Sequence, residues 1–387
     1  MSRAWLLPEH IADVLPAQSR RIEVLRRRLL DQADRSGFEL VIPPLLEHLE
    51  SLLSGTGREL DLKTFKLVDQ LSGRTIGLRA DTTAQAARID AHLLNRDGVT
   101  RLCYCGPVLH TRPSGLHASR EPLQFGAEIF GHAGLEADLE VQELAIDVVA
   151  QAVPGELTVD LADARVLRGV LAGVPLEGAV LQDVVAALSN KDAPAVDLLS
   201  QGFPEEARMG LRALLRLYGG ADVMTAARHE LPARPLVARA LDELQWLASH
   251  LAAAYPKLRV GFDLGDMSGY AYYSGPRFAL YAAEASDAIA RGGRYDEVGA
   301  VFGRNRPAVG FSLDLKALSE QAQAESARPA VLAPWSEEPG LREAVRRLRD
   351  GGETVVYALP GHAAPAPSHE FDRELAHIGG HWLLRPL

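Results

Sequence analysis

The sequence predicts an α+β fold: an antiparallel sheet flanked by helices, followed by a small C-terminal α/β unit. Strand-like apolar runs recur on both sides of residues 163–254, whereas every periodic segment within that range is helical and rich in Ala, Leu and Arg. A polar stretch at 319–328 is typical of a linker. We therefore predict a main domain over 1–322 with an all-helical insert, and a second unit over 329–387.

In the N-terminal part, a helix precedes a short strand, a hairpin and a second helix. Residues 18–36 predict the first helix, because apolar side chains recur at helical spacing and Gly37 follows them. A strand over 38–42 ends at two prolines. Asp81 is predicted to cap the second helix, because its carboxylate can accept from the first backbone N–H groups. The hairpin strands are predicted at 64–68 and 75–78.

The central part predicts an antiparallel pair of strands. Strand patterns at about 101–108 and 122–131 bracket residues 112–119, which contain Gly, Ser and Pro and predict a mobile loop. A helix over 136–152 and a strand over 156–161 lead into the helical segment. Further elements are predicted as strands at 258–262, 276–284 and 287–291, a turn at Gly292 and Gly293, and a helix from 313. The C-terminal unit is predicted as strand, helix, strand, helix and strand at 330–332, 340–349, 354–358, 370–378 and 382–385.

Composition limits the classes of function. A balance of 47% hydrophobic and 24% charged residues is typical of a globular protein with a large core. The net charge of -10 argues against a protein that mainly binds nucleic acid. The arginines of the first helix are interpreted as its solvated face; they are Arg20, Arg21, Arg26, Arg27 and Arg28. No apolar run approaches the roughly 18 residues of a membrane helix and no secretion signal is visible, so we expect a soluble, cytoplasmic protein without membrane contact.

Two cysteines, Cys103 and Cys105, lie in one strand-like run. Alternate residues of a strand share a face, so a bridge between these two would oppose the pleat. Two thiols without a nearby His also make a poor metal site. Reduced thiols in a reducing cytoplasm are therefore expected, and neither a metal nor another cofactor is predicted.

Polar residues within apolar segments indicate a ligand cleft. Gln124 and Glu128 lie four residues apart on one predicted strand, hence on the same face. Burying both among apolar neighbours without partners would be costly, which favours a cleft for a polar ligand; a face that meets water is the alternative. Asp81 and Thr83 offer acceptors for an ammonium group at the start of a helix, and the alternative is that Asp81 only caps it.

Together these segments resemble the class II aminoacyl-tRNA synthetases, most closely histidyl-tRNA synthetase, over about residues 1–320. PEHIADVLP begins the resemblance, and GFELVIPPLLE is similar to the first class II motif, whose helix, strand and proline build a dimer interface. LRADTTA is similar to the turn that holds the ligand's amino group, and YYSG to the histidine-specific block. The resemblance implies a histidine pocket formed by Asp81, Thr83, Gln124, Glu128, Tyr272 and Tyr273. For Tyr273, burial in the core is an equal alternative, and Arg112 and Arg120 beside the loop are candidates to contact an anion.

Three positions depart from the synthetases. The resemblance places arginines that bind ATP and the ligand's carboxylate at Leu109, Ser268 and Ala317. Amino-acid activation brings two anions together and builds charge at phosphorus, so fixed cations are its main means of stabilisation. Lys316 would leave its helix about 100° away from the lost arginine, and lysine lacks the bidentate fork. No catalytic residue is therefore predicted.

The C-terminal unit departs as well. Residues 329–387 are fewer than the anticodon-binding domain of the synthetases holds, and they include acidic clusters, so binding of transfer RNA is not expected. This combination is similar to the regulatory subunits of ATP phosphoribosyltransferase, a family of histidyl-tRNA synthetase paralogues that serves the first step of histidine biosynthesis. The resemblance implies a dimer, a hetero-oligomer with a short-form catalytic subunit, and L-histidine as the feedback ligand. The alternatives are an enzyme that adenylates histidine and, against the charge balance, an RNA-binding module.

Overall fold

The computed structural model describes residues 6–53, 57–113, 115, 118–283, 287–322, 329–361 and 370–387. It divides into two compact units, Met1–Gln323 and Ala324–Leu387. Residues 323–328 of the predicted linker and residues 114 and 116–117 of the predicted mobile loop lie outside the described residues. The start of the predicted linker is wrong, because residues 319–321 continue a helix of the main unit. Among the helices that are described, none is long and apolar enough to cross a membrane.

The first half of the main unit builds two sheets and the helices beside them. It contains α1 (Pro16–Arg35), β1 (Glu39–Leu40), β2 (Leu46–His48), α2 (Leu49–Leu53), α3 (Gly57–Lys63), β3 (Phe65–Val68), β4 (Thr75–Leu78), α4 (Thr83–Arg88), a π-helical turn (Ile89–Leu94), β5 (Thr100–Pro107), β6 (Leu123–Phe130), α5 (Leu135–Ala150) and β7 (Leu157–Asp163). The predicted first helix, the hairpin and the antiparallel pair of β5 and β6 are confirmed.

The second half is helical before it returns to the sheet. It contains α6 (Ala164–Val170), α7 (Gly178–Ser189), α8 (Ala193–Leu199), α9 (Glu205–Leu214), β8 (Tyr218–Gly219), α10 (Asp222–Glu230), α11 (Pro235–Ala254), β9 (Arg259–Asp263), β10 (Pro276–Ala282), β11 (Ala290–Arg294), a 3-10 turn (Val298–Phe302), β12 (Ala308–Asp314) and α12 (Leu315–Gln321). The short strand β8 pairs with β9, so it interrupts a segment that the sequence predicts as wholly helical.

Within the described residues, nine strands form the main sheet in the order β1-β5-β6-β12-β11-β10-β7-β9-β8. Its pairs are antiparallel except for β1 with β5 and β7 with β9. A smaller antiparallel sheet has the order β2-β4-β3. The antiparallel sheet flanked by helices is therefore confirmed.

The two faces of the main sheet have different roles. Phe125, Ala127 and Ile129 of β6 belong to the hydrophobic core, together with Leu29 of α1 and Val141 of α5. Because side chains alternate across a strand, the residues between them face the other side. That other face carries the polar residues of the predicted site.

Two predictions at the centre of this sheet are wrong. Residues 308–314 form β12, where no strand was predicted, and Gly292 and Gly293 lie in β11 rather than in a turn. Both glycines are paired on either side, with β10 and with β12. A Cβ at Gly292 would lie 2.4 Å from the carbonyl oxygen of Gly310, so the glycine allows close packing of strands rather than a reversal of the chain.

The C-terminal unit is a four-stranded sheet with one described helix. It contains β13 (Ala330–Pro334), α13 (Pro339–Asp350), β14 (Val355–Ala358), β15 (Phe371–Ile378) and β16 (His381–Pro386), in the sheet order β14-β13-β15-β16. The predicted helix at 370–378 is wrong, because these residues form β15. Gly379 and Gly380 both have positive φ and join β15 to β16 as a two-residue hairpin loop, which is a common use of paired glycines.

Candidate ligand-binding cavity

A cavity of about 220 Å³ lies on the polar face of the main sheet. Five of the six residues predicted to bind a ligand line it: Asp81, Thr83, Glu128, Tyr272 and Tyr273. The sixth, Gln124, is buried and contacts the cavity through Asp81. The fold thus brings together side chains from the start of α4, from β6 and from the segment before β10.

Asp81 is held firmly at one side of the cavity. Its Oδ1 accepts from the backbone N–H of Thr83 at 3.1 Å, from the Thr83 hydroxyl at 3.2 Å and from Gln124 Nε2 at 2.8 Å. Gln124 Oε1 in turn accepts from the N–H of Thr82 at 2.9 Å. The N-cap residue of α4 is Thr82, not Asp81 as predicted, but Asp81 precedes it and accepts from the N–H of the first helical residue. Its Oδ2 accepts no hydrogen bond from the described residues, which leaves an acceptor for a ligand.

Glu128 lies at the base of the cavity and is 1% exposed. It accepts from the hydroxyl of Tyr104 at 2.9 Å and from the hydroxyl of Tyr295. Burial raises the pKa of Glu128 to about 8, although both tyrosine hydrogen bonds oppose the rise. Near neutral pH this side chain is therefore mostly a neutral carboxylic acid, which can donate as well as accept.

Two glycines make room for this network. In the sheet register, Glu128 is opposite Gly310, and Tyr104 is opposite Gly126. A Cβ at Gly310 would lie 1.4 Å from Glu128 Oε2, and one at Gly126 would lie 2.4 Å from the Tyr104 hydroxyl. The polar side chains therefore lie along the sheet, over backbone that has no side chain of its own.

Tyrosines form one wall of the cavity. Tyr272 stacks on Tyr295 with ring centroids 5.1 Å apart, and Tyr273 meets it edge-on at 5.3 Å. The hydroxyl oxygen of Tyr272 is buried, yet it has no hydrogen-bond partner among the described residues. Because a buried polar group without a partner costs about 1–3 kcal/mol, a ligand that pairs with this hydroxyl would gain binding energy.

Comparison with known proteins assigns the chain to a family. A family model described as histidyl-tRNA synthetase matches residues 10–318. A second model, described as the ATP phosphoribosyltransferase subunit HisZ C-terminal domain, matches residues 328–385. The ATP phosphoribosyltransferase regulatory subunit of Variovorax paradoxus (strain S110) is 60% identical over 385 residues, which cover 99% of this chain and 100% of that protein. The chain belongs to the ATP phosphoribosyltransferase regulatory subunits.

Solved structures agree with this family. An ATP phosphoribosyltransferase regulatory subunit/histidyl-tRNA synthetase from Bacillus halodurans has a TM-score of 0.82 and 25% identity, covering 94% of this chain and 95% of that one. A chain of the ATP phosphoribosyl transferase (HisG:HisZ) complex from Thermotoga maritima has a TM-score of 0.58 and 19% identity, covering 76% of this chain and 97% of that one, and it shows the same fold. The class II synthetase-like fold is thereby confirmed. Family membership also favours the regulatory interpretation over a histidine-adenylating enzyme.

The structure places the three residues that the sequence resemblance aligns with synthetase arginines at different elements. Ser268 donates its hydroxyl to Asp266 Oδ1 at 2.7 Å, Leu109 is half-buried, and Ala317 is exposed on α12. Lys316 donates to the backbone oxygen of Glu121 at 2.7 Å. None of these residues lines the cavity as described.

The two predicted anion contacts also lie away from the cavity lining. Arg112 is exposed. Arg120 donates to the backbone oxygen of His110 at 3.1 Å and packs over the ring of Phe65, 5.3 Å from its centroid. Their contact with an anion stays a prediction.

Polar residues at the cavity that were not among the predicted site residues include Tyr295, Arg291 and Lys63, which line it, and Tyr104, which contacts it through Glu128. Tyr104 and Tyr295 hold Glu128, and Arg291 lines the cavity from β11. Tyr104 and Arg291 belong to the polar face through sheet register, which a sequence pattern does not reveal. Tyr295 could have been recognised from the sequence, because it follows the glycine pair that allows close approach of the backbone. Among the described residues, no cluster of His, Cys, Asp or Glu could hold a metal ion.

Proposed function

We propose that the chain is a non-catalytic subunit that binds L-histidine and assembles with a short-form ATP phosphoribosyltransferase catalytic subunit, imposing histidine feedback on the first step of histidine biosynthesis. The proposal rests on which polar groups the cavity has and which it lacks. Acceptors suited to an amino acid are present, whereas Leu109, Ser268 and Ala317 supply no cation to activate one. The names of its close relatives support the catalytic partner.

The ammonium group and the imidazole ring of histidine both have counterparts in the cavity. The free Oδ2 of Asp81 and the Thr83 hydroxyl can accept from the ligand's ammonium group. A neutral imidazole presents one donor and one acceptor. The protonated Glu128 can donate to the ring's acceptor nitrogen, and the unpaired Tyr272 hydroxyl can accept from its N–H.

Binding of histidine to the chain is not sufficient for regulation of the complex. Histidine must have different affinities for the active and inhibited states of the complex, because a ligand that binds both equally shifts nothing. We expect histidine binding to be measurable on the isolated chain, while inhibition is measurable on the assembled complex only.

We also propose that the chain self-associates through the segment that resembles the first class II motif. Leu40, Ile42, Leu45 and Leu46 are exposed there, with Ile42 81% exposed, and neighbouring exposed apolar residues mark interaction surfaces. In sedimentation velocity, we expect a dimer that Ile42→Glu converts to monomer. Leu198→Glu, at an equally apolar exposed site of α8, is the control and keeps the dimer. A monomeric wild-type chain would contradict this assignment.

The main test combines the purified chain with a short-form catalytic subunit and measures phosphoribosyl transfer to ATP. We expect the chain to co-purify with that subunit, to raise its rate and to confer inhibition by histidine. Glu128→Ala should weaken histidine binding in calorimetry while circular dichroism and assembly stay unchanged. Glu136→Gln is the control, because Glu136 is exposed and contacts His132 on the surface.

Two outcomes would contradict the proposal. Pyrophosphate exchange by the pure chain, dependent on both ATP and histidine, would identify an adenylating enzyme. A chain that neither binds nor activates any short-form catalytic subunit would remove the regulatory role. Unchanged histidine affinity in Glu128→Ala would exclude Glu128 from the ligand site.

A further inference from the structure

The cavity needs a donor for the carboxylate of an amino acid. Asp81 and Glu128 suit an ammonium group and a ring, but a carboxylate beside them would need a positive charge. The synthetase positions for such charges bring none to the cavity lining. Among the described residues, the cations that do line it are Arg291 of β11 and Lys63 of α3.

Sheet register places Arg291 on the same face as Glu128. Glu128 is opposite Gly310 of β12, and two residues along that strand Ser312 is opposite Arg291. Two strand spacings across and two residues along put the Cα atoms of Glu128 and Arg291 about 12 Å apart. Two long side chains that face one cavity from this separation can enclose a ligand of amino-acid size.

The guanidinium of Arg291 has donors to spare. Its one hydrogen bond to the described residues runs from Nη2 to Asp287 Oδ1, at 2.8 Å. A guanidinium carries five N–H donors, and two of them can bind one carboxylate side by side. The Arg291 side chain is 41% exposed and that of Asp287 80%, so their ion pair is weak and a ligand can compete with it.

We propose that Arg291 binds the α-carboxylate of the ligand and makes the cavity selective for free amino acids over the corresponding amines and esters. The proposal rests on the histidine binding proposed above. A cation on β11 thus takes over a contact for which the synthetases use arginines elsewhere. Arg291 approaches from the sheet, on a different element from the loop of Ser268 and from α12.

The test measures three ligands by calorimetry on the full chain: L-histidine, L-histidine methyl ester and histamine. The wild-type chain should bind histidine roughly ten- to hundredfold more tightly than histamine, as expected for a charged hydrogen-bonded pair. Arg291→Gln should lose most of this ratio by weakening histidine alone, and Arg291→Lys should recover part of it. Arg239→Gln is the matched control, because Arg239 forms an exposed ion pair with a carboxylate four residues away but lies on α11.

The outcomes separate this inference from the proposed function. A wild-type chain that binds none of the ligands would overturn both. A wild-type chain that binds histidine and histamine equally well would overturn the role of Arg291 alone, without any variant. The role of Arg291 would also be overturned if Arg291→Gln, folded by circular dichroism, kept the wild-type ratio of histidine to histamine affinity. That result would assign the carboxylate to Lys63 instead.

Discussion

Glu128 is expected to make the main unit less stable as the pH rises. In the folded protein its pKa is about 8, because burial disfavours the charged form, whereas an unfolded chain titrates near 4.5. Below pH 4.5 the side chain is protonated in both states, so its contribution to stability is fully present. Between 4.5 and 8 only the unfolded state ionises, and unfolding becomes steadily easier. Above about pH 8 the contribution of Glu128 to the free energy of unfolding is fully lost.

The size of this effect follows from the two pKa values. A difference of about 3.5, at about 1.36 kcal/mol for each unit, corresponds to about 5 kcal/mol between acid and alkaline pH. Glu128→Gln removes the ionisation while keeping the shape. The amide can accept from one tyrosine and donate to the other, and the Tyr104 hydroxyl has Thr83 Oγ1 as a second partner at 3.1 Å.

Urea denaturation at a series of pH values from 5 to 9 measures the free energy of unfolding of both proteins. We expect Glu128→Gln to be the more stable protein at pH 9 and to lose this advantage toward pH 5. Other titrating groups cancel in the comparison. In the control Glu136→Gln, the replaced carboxylate has a pKa lowered by its hydrogen bond to His132 and is ionised throughout, so no such trend is expected. Parallel pH profiles for wild type and Glu128→Gln would refute the raised pKa.

Three further predictions concern other parts of the structure. Gly310→Ala should destabilise the chain by about 3 kcal/mol in urea denaturation and prevent histidine binding, because its Cβ collides with Glu128; Gly178→Ala, with open space around it, should do neither. Arg294→Met should lower the free energy of unfolding by about 3–5 kcal/mol, since it leaves a buried aspartate unpaired, and an unchanged value would contradict the importance of that ion pair. Burial raises the pKa of Cys105 to about 11, so its reaction with a thiol reagent at pH 8 should be slow until the chain is unfolded, and rapid labelling of the folded protein would disprove this.

The sequence predicts well those elements whose apolar residues all face the hydrophobic core. Strands β5 and β6 are runs of apolar residues around a polar loop, and α1 has one apolar face. In strand β12, Val309, Phe311 and Leu313 alternate with Gly310, Ser312 and Asp314, which is the period-2 pattern of a half-buried strand. The alternation alone therefore indicates this strand, although glycine is depleted in strands and weakens the local propensity at position 310.

Some residues of the candidate site can be recognised in the sequence, and others cannot. Asp81 and Glu128 are conspicuous as polar residues in apolar surroundings, and the structure places both at the cavity. Tyr104 lies in a strand where an aromatic residue is ordinary packing. Arg291 precedes a glycine pair that was interpreted as a turn. Their position at the cavity depends on which strands are neighbours and in what register, and this is fixed by contacts between distant parts of the chain.

The glycines beneath Glu128 and Tyr104 limit how the cavity can change size. At positions 126 and 310 the backbone is already bare, so every substitution there raises the base of the cavity and none can deepen it. A variant with a larger cavity must therefore shorten the side chains that lie over these glycines, or move the tyrosine wall. Shortening Tyr104 or moving Tyr295 removes a hydrogen bond of Glu128. Because these two hydrogen bonds lower the pKa of Glu128, enlarging the cavity at Tyr104 or Tyr295 also favours the proton on that carboxyl group.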